Sequence, residues 1–108
     1  MCVDEATIIQ LKELMGDDFS LLITTFIKDS SSKINAMRAT LINQDAESLR
    51  MAAHGLKGSA LNLSADKLTQ LCKDLECLGR DGSFENAVQL IDAVELEYKA
   101  VTGYLVSL

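Results

Sequence analysis

The chain predicts an all-α fold, an antiparallel up-down four-helix bundle with a short additional N-terminal helix. Three observations predict it. No proline interrupts any of the 108 residues, and the 48% that are hydrophobic are accompanied by plentiful Lys, Glu and Asp, a composition that favours helix over strand. Apolar residues recur at i, i+3, i+4 and i+7 in successive stretches. Those stretches are joined by only a few residues, which favours antiparallel packing of sequence neighbours. A chain of this length builds one domain around one core, so residues 1–108 are read as a single domain.

The first helix is short, from about Asp4 to Met15, with Ile8, Leu11 and Leu14 or Met15 at helical spacing. Gly16 breaks it and Asp17 is placed to cap the next. A long helix then runs to about Asn43 on the stripe Phe19, Leu22, Ile23, Phe26, Ile27, Ile34, Met37 and Leu41. Ser30-Ser31-Ser32 weakens it locally, but the pattern resumes in phase at Ile34, so it is read as continuous. Asp45 caps a third helix that ends near Asn62, with Leu49, Ala52, Leu56, Ala60 and Leu63 as its apolar side. Ser64 is the expected cap of the fourth helix, with Asp66 in the first turn and Leu68, Leu71, Leu75 and Leu78 as its stripe. Gly79 is expected to end it. After the turn Gly79-Arg80-Asp81-Gly82, Ser83 caps the last helix, which carries Phe84, Ala87, Val88, Ile91, Val94, Tyr98, Val101 and Leu105. The first short helix would lie over one end of the other four.

Ten basic against sixteen acidic side chains leave a net charge of −6, which argues against nucleic acid or an anionic membrane as partner. The cysteines, Cys2, Cys72 and Cys77, are odd in number. Cys72 and Cys77 fall about 140° apart on one helix, so they are read as small buried or half-buried thiols of a reducing cytosol. Met1-Cys2-Val3-Asp4-Glu5 leads into an acidic amphipathic segment rather than the apolar run of a signal peptide. No stretch reaches the roughly 18 apolar residues of a membrane span. A cytoplasmic protein is expected.

The single histidine, His54, falls outside the core phase of the third helix. Lys57 lies about 60° to one side of it and Gly58 about 40° to the other, while Glu47, Arg50 and Leu61 project within about 40°. A helical glycine costs roughly 1 kcal/mol relative to alanine. Beside an exposed imidazole, that cost makes sense if the backbone of another protein must come close. A metal site fails for want of a second histidine or a cysteine on the same face. A hydrolase triad fails because no nucleophile elbow or oxyanion loop is visible. Phosphoryl chemistry fits, since neutral imidazole is a competent nucleophile and an ammonium one turn away can pair with phosphoryl oxygens.

The run His54-x-Leu56-Lys57-Gly58-Ser59-Ala60 resembles the signature of histidine phosphotransfer (HPt) domains of bacterial-type phosphorelays. The downstream Leu71-Cys72-x-x-Leu75-Glu76 and the helix order extend that likeness over about residues 4 to 107. The resemblance implies a four-helix bundle whose histidine takes a phosphoryl group from a receiver-domain aspartyl-phosphate and passes it to an aspartate of a second receiver. Carried onto this chain, it makes His54 the phosphorylated nucleophile, Lys57 the group that orients or neutralises the phosphoryl oxygens, and Gly58 the space for receiver docking. Glu76 stands where some family members place a Gln or Glu that hydrogen-bonds the imidazole; a solvated helix carboxylate is the other reading. Met51 and Leu61, with Glu47 and Arg50 at the rim, are the expected docking surface for receiver domains of response regulators and hybrid sensor kinases. No cofactor of its own is implied, the magnesium ion belonging to the receiver, and a monomer is expected.

Two other functions compete. A non-phosphorylated helical adaptor would use the same bundle, but has no need of nucleophile, lysine and glycine together. The phosphoacceptor domain of a sensor kinase also carries its histidine on a helix. Its motif includes a proline shortly after the histidine, and this chain has none. With no Gly-rich ATP lid, autokinase activity is not expected.

Overall fold

A computed structural model describes residues 2–108; Met1, where the single-domain and leader expectations begin, lies outside the described residues. The described chain forms five helices: α1 (Glu5–Met15), α2 (Asp18–Asn43), α3 (Ala46–Asn62), α4 (Asp66–Arg80) and α5 (Ala87–Val106). They fill a body of 42 × 21 × 19 Å. α2 packs on α3, α3 on α4, α4 on α5, and α5 back on α2, closing a ring. Inside it lie Met37, Leu49, Leu56, Leu68, Leu75, Ile91 and Val94, all fully buried. Burial of each such side chain stabilises the fold by roughly 1.5–3 kcal/mol before the cost of ordering it.

Register across the ring follows from specific pairs. Arg38 of α2 bonds Asp92 at 3.0 Å and Glu95 at 2.6 Å on α5. Farther toward the start of α2, the Tyr98 hydroxyl donates to the Ile27 carbonyl at 2.9 Å, and its ring meets Phe26 with centroids 6.1 Å apart. Position rises on α2 as it falls on α5. The α3–α4 pair behaves the same way, with Gly79 against Ala46 and Arg50, and Glu76 against His54 and Lys57.

α2 is unbroken through the serine run, as the resumed phase required, and Ser30 turns into the core. Asp45 caps α3 as expected, accepting from the Ser48 amide at 3.0 Å and its hydroxyl at 2.6 Å. α1 rests on α2 and buries Ile8, and Val3 just before it is buried too; the Asp4 amide donates to the Ser64 carbonyl in the α3–α4 turn at 3.2 Å. Leu14 of that helix points to solvent.

Several local expectations give way to packing. Asp17 stands before α2 without a side-chain capping bond. Ser64 is not the cap of α4: it adopts a left-handed φ of 54° to make the tight turn, and Ala65 occupies the cap position. Gly79 does not end α4, which runs on to Arg80; the left-handed turn falls to Gly82, with φ of 70°. The Ser83 hydroxyl accepts from the Glu85 amide at 3.2 Å, capping a turn rather than a helix. A left-handed Asn86 then delays α5 to Ala87, leaving Phe84 outside it and Val88 exposed. On α3 the fully buried stripe is Leu49, Ala53, Leu56 and Ala60, while the expected Ala52 is half-buried against the edge of the core.

Candidate functional site

His54 projects from the middle of α3 with 64% of its side chain exposed. Its Nδ1 lies 2.7 Å from Oε2 of Glu76, a residue of α4 whose side chain is only 17% exposed. Lys57, one turn after His54, donates to the other oxygen, Oε1, at 2.5 Å. The Lys57 ammonium first and the His54 ring second hold the Glu76 carboxyl below its ordinary pKa, against the opposing effect of burial. Glu76 is therefore an ionised, acceptor-only carboxylate at neutral pH. An acceptor-only partner requires that the shared proton reside on Nδ1, which in the neutral ring leaves the lone pair on Nε2. Glu76 is mostly buried and engaged by both the His54 and Lys57 side chains rather than left to solvent.

Three glycines near the ring differ in what surrounds them. A methyl group added at Gly58 would meet nothing within 4 Å, so the position beside His54 is open to a partner. At Gly79 a Cβ would come within 2.6 Å of the Arg50 amide nitrogen and 2.7 Å of the Ala46 carbonyl oxygen. Gly79 is thus the point where the α3 and α4 backbones nearly touch, and that closeness carries Glu76, one turn earlier, to the imidazole. At Gly55 a Cβ would sit 2.5 Å from Cε of Lys33, whose stem crosses the α3 backbone there.

The remaining predicted residues lie on the same helix as His54 and make no hydrogen bond to it. Met51 and Leu61 are 60% and 61% exposed. Arg50 and Glu47 pair with each other, Nε and Nη2 of the arginine donating at 3.0 and 2.5 Å to the two carboxylate oxygens. Behind the site, Cys72 is buried and its thiol is pushed up to about 12 by burial, which makes it inert packing; the cysteines are all free. Sequence reasoning missed Lys33 and Ala53. Ala53 was detectable, being four residues from Leu49 and seven from Ala60. Lys33 was not, because only the α2–α3 register brings it over Gly55.

Among the described residues, no group of three His, Cys, Asp or Glu side chains is placed to hold a metal ion. None of the described helices is long and apolar enough to cross a membrane.

With this geometry in place, comparison with known proteins gives the family. The model of the Hpt domain family matches residues 21–103, from the second helix through most of the fifth and leaving α1 outside. A crystal structure of histidine-containing phosphotransfer protein B (HptB) from Pseudomonas aeruginosa PAO1 superposes with a TM-score of 0.93 and 33% sequence identity, over 98% of this chain and 92% of that one. No curated protein matches the chain. The chain belongs to the Hpt domain family.

Proposed function

We propose that this chain is a phosphorelay intermediate of two-component signal transduction. In this reading His54 accepts a phosphoryl group from the aspartyl-phosphate of one receiver domain and passes it to an aspartate of another. The arrangement of the site supports it most directly: an ionised carboxylate grips Nδ1 and leaves the lone pair of Nε2 on an open, glycine-flanked face. Consistent with it, the ring of packed helices reads as an up-and-down antiparallel bundle forming one domain over residues 1–108, working in the cytoplasm as a monomer.

The chemistry follows from the groups present. Nε2 forms a bond to phosphorus as the bond from phosphorus to the aspartyl oxygen breaks, and the receiver recovers a carboxylate. The ring keeps its Nδ1 proton and becomes positively charged, and Glu76 stands 2.7 Å from that proton to balance the charge. No proton has to leave, so the step depends on alignment more than on acid–base catalysis. Lys57 keeps Glu76 ionised before transfer and faces the phosphoryl oxygens after it. Met51 and Leu61 offer apolar contact to the receiver, Glu47 and Arg50 the charged rim, and Gly58 the clearance for close approach. The magnesium ion belongs to the receiver, and this chain needs no cofactor of its own.

The test is phosphoryl transfer from a panel of phosphorylated receivers to wild type and to His54→Gln. Acid-labile, base-stable label on wild type alone is expected, with the melting temperature of His54→Gln close to wild type because the side chain is outside the core. ATP alone should label neither. Receiver binding without label from any donor would replace this reading with that of a non-phosphorylated adaptor.

A further inference from the structure

The backbone next to His54 is approached from α2, and that side holds a cation that the mechanism above does not use. Lys33 lies with its stem on the bare backbone of Gly55, the residue next to His54. Its Nζ is 3.7 Å from where a Gly55 Cβ would be, and donates to Oδ2 of Asp29 at 2.7 Å. Only because position 55 lacks a Cβ can the lysine lie there; a methyl group would stand 2.5 Å from its Cε. The mid-helix glycine, which costs roughly 1 kcal/mol of helix stability, thus seats a side chain from the neighbouring helix.

Charge balance gives this lysine something to do. In the unphosphorylated site the charges nearest His54 pair off: Lys57 with Glu76, Arg50 with Glu47, Lys33 with Asp29. A phosphoryl group brings about −1.5 to −2 charges. It arrives beside a ring already bonded to the Glu76 carboxylate, and Lys57 is engaged by that same carboxylate. The ring itself turns positive on transfer, so the site is left with about one negative charge in excess, which a second ammonium would offset. Lys33 can supply it by rotating its four-carbon stem, since Asp29 holds it only through an i,i+4 pair whose carboxylate is 57% exposed, and such pairs are weak.

We propose that Lys33 is a positioning residue of this site: its ammonium leaves Asp29 when His54 carries a phosphoryl group and pairs with the phosphoryl oxygens from the α2 side. The proposal rests on the carrier reading of His54. Asp29 is the resting place of the lysine, and Gly55 is the track that keeps it near the ring.

The experiment compares wild type, Lys33→Gln, Lys33→Arg, Gly55→Ala and Asp29→Asn. Each is loaded from one phosphorylated receiver and followed by transfer rate and by ³¹P NMR titration of the phosphohistidine. Lys33→Gln should slow loading roughly five-fold and raise the titration midpoint of the phosphoryl group by about half a pH unit, because a neighbouring cation that favours the dianion has gone. Lys33→Arg should restore most of both. Gly55→Ala should reproduce the Lys33→Gln defects at an unchanged or higher melting temperature, because it displaces a flexible stem and adds a better helix former. Asp29→Asn should load as fast as wild type or faster. Unchanged loading and an unchanged ³¹P midpoint in Lys33→Gln, with wild type labelled, would overturn the role of Lys33 and leave the carrier reading intact. A loading defect in Lys33→Gln without the ³¹P shift would also overturn it, pointing instead to a receiver contact. Failure of wild type to accept label would overturn the carrier reading and this inference together.

Discussion

On its α4 side His54 meets a wall held in place by backbone contact; on the α2 side, a lysine lies along the bare backbone of the next residue, Gly55. The wall is set by Gly79, where the two helices come so close that a Cβ would fall within 2.6 Å of a main-chain nitrogen. Backbone atoms cannot step aside, so the Glu76 carboxylate reaches Nδ1 at 2.7 Å with little freedom to move. Across the ring the contact is between Gly55 and a flexible lysine stem, which can move at small cost. In the proposed carrier role, one flank would orient the nucleophile and the other would adapt to what it carries. Such a site gains from both, because the ring must stay aligned while it turns positive and takes on a phosphoryl group of about −1.5 to −2 charges.

The strongest way to break this contrast is Gly79→Ala. It overpacks a backbone contact and is expected to destabilise the fold by about 1–3 kcal/mol in urea denaturation, with transfer reduced because α4 withdraws Glu76. The same change at Gly58, where a Cβ meets nothing, should go the other way and stabilise the fold by up to about 1 kcal/mol. It should still slow transfer from a receiver several-fold if close approach is the reason for the glycine. Equal melting shifts for the two variants would erase the distinction between them.

Next in size is the α4 wall itself. Glu76→Gln keeps the shape of the side chain but not its charge, and the ring loses the partner that fixes its tautomer and balances its positive charge. A transfer rate lower by about ten-fold is expected, equivalent to about 1.4 kcal/mol. Lys57→Ala should slow transfer without abolishing it. A rate unchanged by Glu76→Gln would mean the carboxylate serves only as a hydrogen-bond acceptor.

Acid dependence gives a smaller effect on the same flank. The Glu76 carboxyl is held below its ordinary 4.5 when folded, so its contribution to stability is complete above about that pH. That contribution is lost as the pH falls through the lowered value. Urea midpoints measured from about pH 6 down to about pH 3 should therefore decline less steeply for Glu76→Gln than for wild type. Smallest are the rim substitutions. Met51→Asp and Leu61→Asp should leave folding unchanged, both side chains being mostly exposed, and weaken receiver affinity. Unchanged affinity in both would remove them from the docking surface.

The helices themselves, the continuity of α2 through Ser30-Ser31-Ser32, the Asp45 cap and the outward phase of His54, Lys57 and Gly58 were all legible in the sequence. Each depends on periodicity or on a bond between residues a few positions apart, and those are local properties of a helix. What the tertiary structure decided is of another kind. Gly79 looked like a helix terminus and is a crossing point; Glu76 is brought by that crossing against His54 and Lys57; Lys33 carried no signal at all; Ser64 and Asn86 take left-handed turns that move the starts of α4 and α5. All of these depend on how far apart two helices lie and in what register. That distance and register are set by the summed packing of every side chain between the helices, and no single stretch of sequence contains it.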